Sequence, residues 1–178
     1  MDAKVSVWKA NLNSGVIIGL LGIVFSLIIY FLELSLKSWV TYIWFPIYIV
    51  ALVLAIKSYR DNYMKGFMTY GQSMGAGVVV VLYYAIISSL FAYILYSYID
   101  PGLIDKMIAV AEEKILARGL PESAVEQTMK IQEKLMKPWV LSVSGIFNSM
   151  FIGTIFVLII SIFTKKEGNP LIDEAIEE

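Results

Sequence analysis

The chemistry open to this chain is limited to carboxylates, Arg60, hydroxyls and amides, because the sequence holds no Cys and no His. Thiolate nucleophiles, disulfides, imidazole acid–base catalysis and the zinc or haem sites built on those ligands are therefore excluded. Asp61 follows Arg60 in "YRDNYMK", and Asp100, Asp105, Glu112 and Glu113 come later in the chain. The last four could offer oxygen ligands to a hard cation, although acidic side chains on a solvated helix ordinarily form only a wet face. A lipid-active enzyme using Arg60 would need Asp61, Asp100 and Asp105 in one cleft. "GQSMGAG" supplies Gly71, Gly75 and Gly77 but lacks the lysine of a phosphate-cradling loop, follows no strand and does not match G-x-G-x-x-G. No catalytic residue, cofactor site or metal site is expected.

The elements that would have to position such groups are dictated by composition. Of 178 residues, 58% are hydrophobic and 16% charged, whereas a soluble domain carries roughly 25% charge. Mean hydropathy is +0.74. The natural solvent is a lipid bilayer. The 14 basic residues are scattered among 15 acidic ones, for a net charge of −1, so no basic face exists to neutralise a run of phosphates. Nucleic acid is excluded as a partner.

Crossing the hydrocarbon core takes about 20 apolar residues. Four runs carry no charge: Ala10 to Leu32, Ser38 to Ile56, Gly66 to Ile99 and Pro138 to Thr164. The expected fold is all-α and polytopic, with spans at about 12–32, 39–56, 70–98 and 139–163 in one domain, 1–170, followed by an acidic tail, 171–178. Lys4 and Lys9 resemble the start of a signal peptide, but the apolar stretch is too long and no small-x-small cleavage site follows it, so the first run is read as a retained helix. The third run exceeds one crossing, and its first turns are expected at or beyond the interface.

Short-loop charges orient the spans. Lys4, Lys9, Lys57, Arg60, Lys65, Lys165 and Lys166 fall on one side, which is expected to be cytoplasmic and to hold both termini. That topology puts Asp61 on the opposite side from Asp100 and Asp105, which argues against a joint site. Trp8, Trp39, Tyr42, Trp44, Tyr96, Tyr98 and Trp139 cluster near run ends and are read as interfacial anchors, with a sugar- or lipid-binding aromatic surface as the alternative.

The connection 101–137 reads as an extracytoplasmic helical hairpin. Asp100 stands at an expected N-cap, Pro101 at the first helical position and Gly119 at a left-handed cap. Ile104, Met107, Ile108, Ala111 and Ile115 follow helical spacing, and Pro121 starts a second helix with Val125, Met129 and Met136 on one stripe. Its apolar stripe is expected to pack on itself or on the membrane surface, with a protein partner as the alternative.

Within the spans, Gly15, Gly19, Gly71, Gly75, Gly77, Gly145, Ser149 and Gly153 form small-xxx-small faces suited to close helix packing, or less directly to a ligand passage. No run interior contains an ionisable acid or base. The intramembrane polar candidates are Gln72, Tyr84 and Asn148, along with Tyr83, Ser88 and Ser89. Asn148 falls near the bilayer middle and is expected to hydrogen-bond across the bundle to Tyr83, Tyr84, Ser88 or Ser89, or to a backbone carbonyl freed by close packing.

"YRDNYMKGFMTYGQ", "YIDPG" before a charged helical loop, and "FIGTIFVLIISIFTKKEGNP" together resemble the bacterial membrane family catalogued as domain of unknown function family 4199. The resemblance spans Ala10 to about Pro170 and rests on Tyr59, Arg60, Asp61, Gly71, Asp100, Pro101, Gly153, Lys165 and Lys166. It implies a four-helix, multi-pass protein of the inner membrane and brings no established activity. The residues themselves favour a non-enzymatic scaffold or accessory subunit, partnered by the bilayer and by another membrane protein or a second copy of itself. A small channel or carrier for a neutral solute is the alternative.

Overall fold

A computed structural model describes residues 5–37, 39–119 and 121–168. The expected acidic tail at 171–178 lies outside them. The described residues form α1 (Val7–Phe31), α2 (Val40–Tyr63), α3 (Tyr70–Ile94) running into a π-helical turn (Leu95–Ile99), α4 (Gly102–Leu116), α5 (Glu122–Leu135) and α6 (Pro138–Thr164). The fold is all-α. Four of these elements, α1, α2, α3 with its π turn, and α6, are long and apolar enough to cross a membrane.

The helix boundaries follow from local chemistry. After α2 the chain reverses through Lys65 at φ +52° and Gly66 at φ +81°, and the Gly66 amide returns to the Arg60 carbonyl at 3.1 Å. A side chain at Gly66 would be strained in that left-handed backbone. Helix α3 then opens on a capping box in which Thr69 Oγ1 accepts from the Gln72 amide and Gln72 Oε1 accepts from the Thr69 amide. Gln72 therefore caps the start of α3, its Oε1 taken by a backbone donor that the first turn of a helix leaves unpaired.

At its other end, α3 gives way to the π turn, closed by the Asp100 amide on the Leu95 carbonyl at 2.8 Å. Pro101 disfavours a helical Asp100 and helps stop the helix there. Asp100 does not cap α4 with its side chain, contrary to the sequence expectation; Pro101 stands at the N-cap without a side-chain bond. Gly119 takes φ +67° and its amide bonds the Leu116 carbonyl. Helices α4 and α5 fill the connection and contact each other.

Helix α3 is the centre of the bundle. Its most extensive contacts are with α6 and α1, while α2 lies against all three. Glycine makes this approach possible. A Cβ added at Gly15 would meet the Tyr83 Cβ, and one at Gly19 would lie 2.8 Å from Ile87 Cγ2. Gly77 receives Val157 at 2.6 Å, and Gly153 receives Val81 at 2.5 Å and the Tyr48 hydroxyl at 2.9 Å. Gly145 meets Ser89 Oγ at 3.2 Å, and Ser149 is half-buried.

Gly71 and Gly75 depart from the small-residue pattern: among the described residues nothing lies within 4 Å of a Cβ at either position. They face outward because α3 directs Ser73, Ala76 and Gly77, not Gly71 or Gly75, into the bundle. Leu52, Ile56, Ala76, Val80, Val81 and Val157 are wholly buried and fill the centre, whereas Ile17, Leu54, Leu90 and Phe163 point outward as a lipid-facing surface would.

One expected anchor turns inward. Trp44 stacks on Tyr48 and Tyr84, with ring centroids 6.0 and 6.1 Å away, and lies 5.1 Å from Phe25. Tyr48 also approaches Tyr84 at 4.8 Å and Phe156 at 6.3 Å, so rings from all four long helices share one cluster. Trp8, Trp39, Tyr42, Tyr98 and Trp139 are exposed, as interfacial anchoring requires, and Tyr96 is half-buried.

Candidate functional site

Polar chemistry collects at the two ends of the bundle. At the first end, Arg60 near the close of α2 donates through Nε to Asp61 at 2.7 Å and through Nη1 to the Thr164 carbonyl at 3.3 Å. The guanidinium thus sits on the C-terminal carbonyls of α6, where helix geometry leaves acceptors unpaired and the dipole favours a cation. Met68 and Lys166 exchange backbone hydrogen bonds beside it, at 2.8 and 2.9 Å, and the Lys166 ammonium lies 5.0 Å from the Phe67 ring.

Below this clasp, Ser73 Oγ bonds Ser161 Oγ at 3.0 Å and Thr164 Oγ1 at 2.7 Å, and Thr164 Oγ1 also donates to the Ile160 carbonyl. Tyr59 is buried and stacks on Tyr63. Arg60, Asp61, Met68, Ser73 and Thr164 therefore tie α2, the loop before α3, α3 and α6 together. Asp61 has its carboxylate engaged by its neighbour Arg60.

At the second end, Asp100 accepts from the Tyr30 hydroxyl at 3.3 Å and lies 3.9 Å from the Lys106 ammonium. Below it a cavity of about 310 Å³ opens between α1, α2, α3 and α4, with Phe25, Trp44, Tyr84, Phe91 and Tyr96 in its wall. A second pocket of about 530 Å³, carrying Glu33, Asp100 and Lys106, shares Ser35 and Leu103 with the first. The length of α3 separates Asp100 from the Arg60 clasp, so Asp61 and Asp100 do not share a cleft. Asp105, Glu112 and Glu113 join no group of three or more potential metal ligands among the described residues.

Asn148 overturns its expectation. It lies on the exposed face of α6, where Phe147 and Phe151 are 71% and 70% exposed. The candidate partners point elsewhere: Tyr83 donates to the Trp8 carbonyl, Ser89 faces Gly145, and the buried Ser88 hydroxyl has no partner among the described residues. Tyr84 belongs to the aromatic cluster. Gly145, three residues earlier on α6, meets Ser89, while Asn148 stands at the outer edge of that face and is exposed.

A family model described as Protein of unknown function (DUF4199) matches residues 13–166. The chain belongs to this family. No curated protein and no solved structure matches it. Of the motif residues that carry the family resemblance, Arg60, Asp61 and Lys166 meet at the clasp of this DUF4199 protein, and Asp100 and Pro101 mark the far end of α3.

Several DUF4199 residues escaped the sequence reading. Asn11 is fully buried, with its side-chain amide donating to the Val7 carbonyl and its Oδ1 unpartnered among the described residues. The Tyr48 hydroxyl, the π turn and the aromatic cavity also carried no motif. The Ser73–Ser161–Thr164 cluster did leave a signal: Gly153, Val157, Ser161 and Thr164 recur at helical spacing as a small and polar stripe down α6.

Proposed function

We propose that this DUF4199 protein is a non-enzymatic scaffold or accessory subunit of a bacterial inner membrane, with both termini cytoplasmic, that docks another membrane protein or a second copy of itself along α6. The observation that carries this reading is the outward-facing Asn148. A carboxamide offers two donors and an acceptor, and leaving such groups unsatisfied in hydrocarbon costs several kcal/mol. A partner helix laid over the face formed by Ser144, Asn148 and Phe151 would supply the missing bonds while covering the adjacent rings.

The filled centre formed by Leu52, Ile56, Val80, Val81 and Val157 favours a scaffold over a conduit for a neutral solute. Lys57, Arg60 and Lys65 near the end of α2, with Lys165 and Lys166 after α6, support the cytoplasmic assignment of that end. A reporter fused after Glu178 that is active only when exported is expected to stay silent, and activity there would reverse the topology.

Because the chain has no Cys, Phe151→Cys introduces a single thiol on the proposed docking face. Thiol crosslinking in native membranes is expected to yield one discrete, stoichiometric adduct. Adding Asn148→Leu should weaken the association about 3- to 20-fold, the range given by membrane hydrogen bonds of roughly 0.6 to 1.7 kcal/mol. Thermal stability of the isolated protein should stay within about 0.5 kcal/mol of the parent. Failure to capture an adduct, or an adduct indifferent to Asn148, would refute the docking reading.

A further inference from the structure

We propose that the cleft between α1, α2, α3 and α4 binds a phospholipid whose head group carries a primary ammonium and a phosphate. One acyl chain occupies the aromatic cavity, and the head group rests between Asp100, Glu33 and Lys106.

The cavity of about 310 Å³ is in the size range of ligand pockets, about 300–1,000 Å³. Its lining changes character with depth. Gly22, Phe25, Trp44, Ser88 and Phe91 lie within the spans, and Ser35 and Leu103 form a shared wall with the larger pocket that holds the charged groups. From Ser88 to Asp100 an ideal helix rises about 18 Å, close to half of the roughly 30 Å hydrocarbon core. The cleft therefore runs for about one leaflet and ends where the third apolar run ends, at Ile99 and Asp100. The ligand that fits has an apolar body one leaflet long and a polar head.

Charge selects the head group. The upper pocket offers two carboxylates, Glu33 and Asp100, and one ammonium, Lys106. A head group with a phosphate alone would satisfy Lys106 and leave both carboxylates facing added negative charge. An ammonium phosphate answers both signs: its phosphate takes Lys106, and its N–H donors take Asp100 and Glu33. The Lys106–Asp100 approach of 3.9 Å, with Lys106 64% exposed, is loose enough for a phosphate to enter without breaking a short ion pair. The Tyr30 hydroxyl holds Asp100 in place from α1. Glu33 is placed at the rim by a backbone at φ +55°, uncommon for a residue with a side chain. The π turn borders the apolar part, with Leu95 and Tyr96 in the wall, and such turns frequently mark functional sites.

Trp44 reports on the cavity. The full chain with Trp8, Trp39 and Trp139 replaced by Phe retains one indole and can be reconstituted in phosphatidylcholine vesicles containing a few per cent of acyl-brominated phosphatidylethanolamine or phosphatidylglycerol. Quenching by the ethanolamine lipid is expected to saturate, with a half-point at least fivefold below that of the glycerol lipid. Lys106→Gln with Glu33→Gln should erase the difference. Both positions are outside the buried core, so the pair should fold, and an unchanged circular dichroism melt verifies it. Quenching that rises linearly and equally for the two lipids, or no quenching of Trp44, would overturn the proposal. So would selectivity that survives the double substitution.

Discussion

Gly153→Ala is expected to destabilise the folded bundle by about 1–3 kcal/mol, the usual range for forcing extra methyl volume into a tight contact. The added Cβ would stand 2.5 Å from Val81 Cγ1 and 2.9 Å from the Tyr48 hydroxyl, so two helices must shift at once. Gly15→Ala should be at least as costly, because its obstacle is the root of the Tyr83 side chain, which cannot swing aside without moving α3. Gly71→Ala and Gly75→Ala are the internal controls. With nothing inside 4 Å at either position among the described residues, the added methyl creates no clash and removes glycine's cost of roughly 0.5–1 kcal/mol within a helix. Unfolding titrations in mixed micelles should separate the pairs; equal stability of all four variants would show that the close approaches relax freely.

Arg60→Ala is expected to cost about 1–2 kcal/mol and to loosen the end where α2 meets α6, since it removes hydrogen bonds made by a charged donor and the cation at the α6 C-terminus. Arg60→Lys should restore less than half of that loss. One guanidinium reaches Asp61 through Nε and the Thr164 carbonyl through Nη1, whereas an ammonium is a point donor without the planar fork. Cysteine pairs placed at Lys57 and Lys165 would read the loosening as slower crosslinking. Parent-like melting and crosslinking in Arg60→Ala would reduce the clasp to an exposed contact of little consequence.

How much of this was legible in the residues differs between the ends and the faces of the helices. The turn at Lys65 and Gly66, the start of α3 after Thr69 and the break at Asp100 and Pro101 coincide with charge, glycine or proline, signals that act within a few residues. Gln72 was visible as polar, but its capping role with Thr69 was not read, because the longer apolar run hid the helix start. Asp100 was misread as a cap since the competing partner, Tyr30, is 70 residues away in sequence. Asn148, Trp44, Gly71 and Gly75 were each assigned to the wrong surroundings by reasoning from depth or spacing alone.

The sequence by itself determined that this is an all-helical chain with four membrane-capable helices, and its short motifs pointed to the DUF4199 family. Crossing a bilayer depends on the length and polarity of a contiguous run, which are local properties. Only the tertiary structure decided which glycines meet a neighbour, that Asn148 turns outward while Trp44 turns inward, and that Arg60 closes on Thr164 while a cavity opens below Asp100. In water an amphipathic helix announces its buried face, because apolar residues collect on one side. Here the lipid-facing and core-facing sides of each span are both apolar, so the pattern along the chain carries little record of rotation. Rotation is set instead by whether Tyr83, Val157 and Val81 find a glycine opposite them, a complementarity between helices that no single run contains.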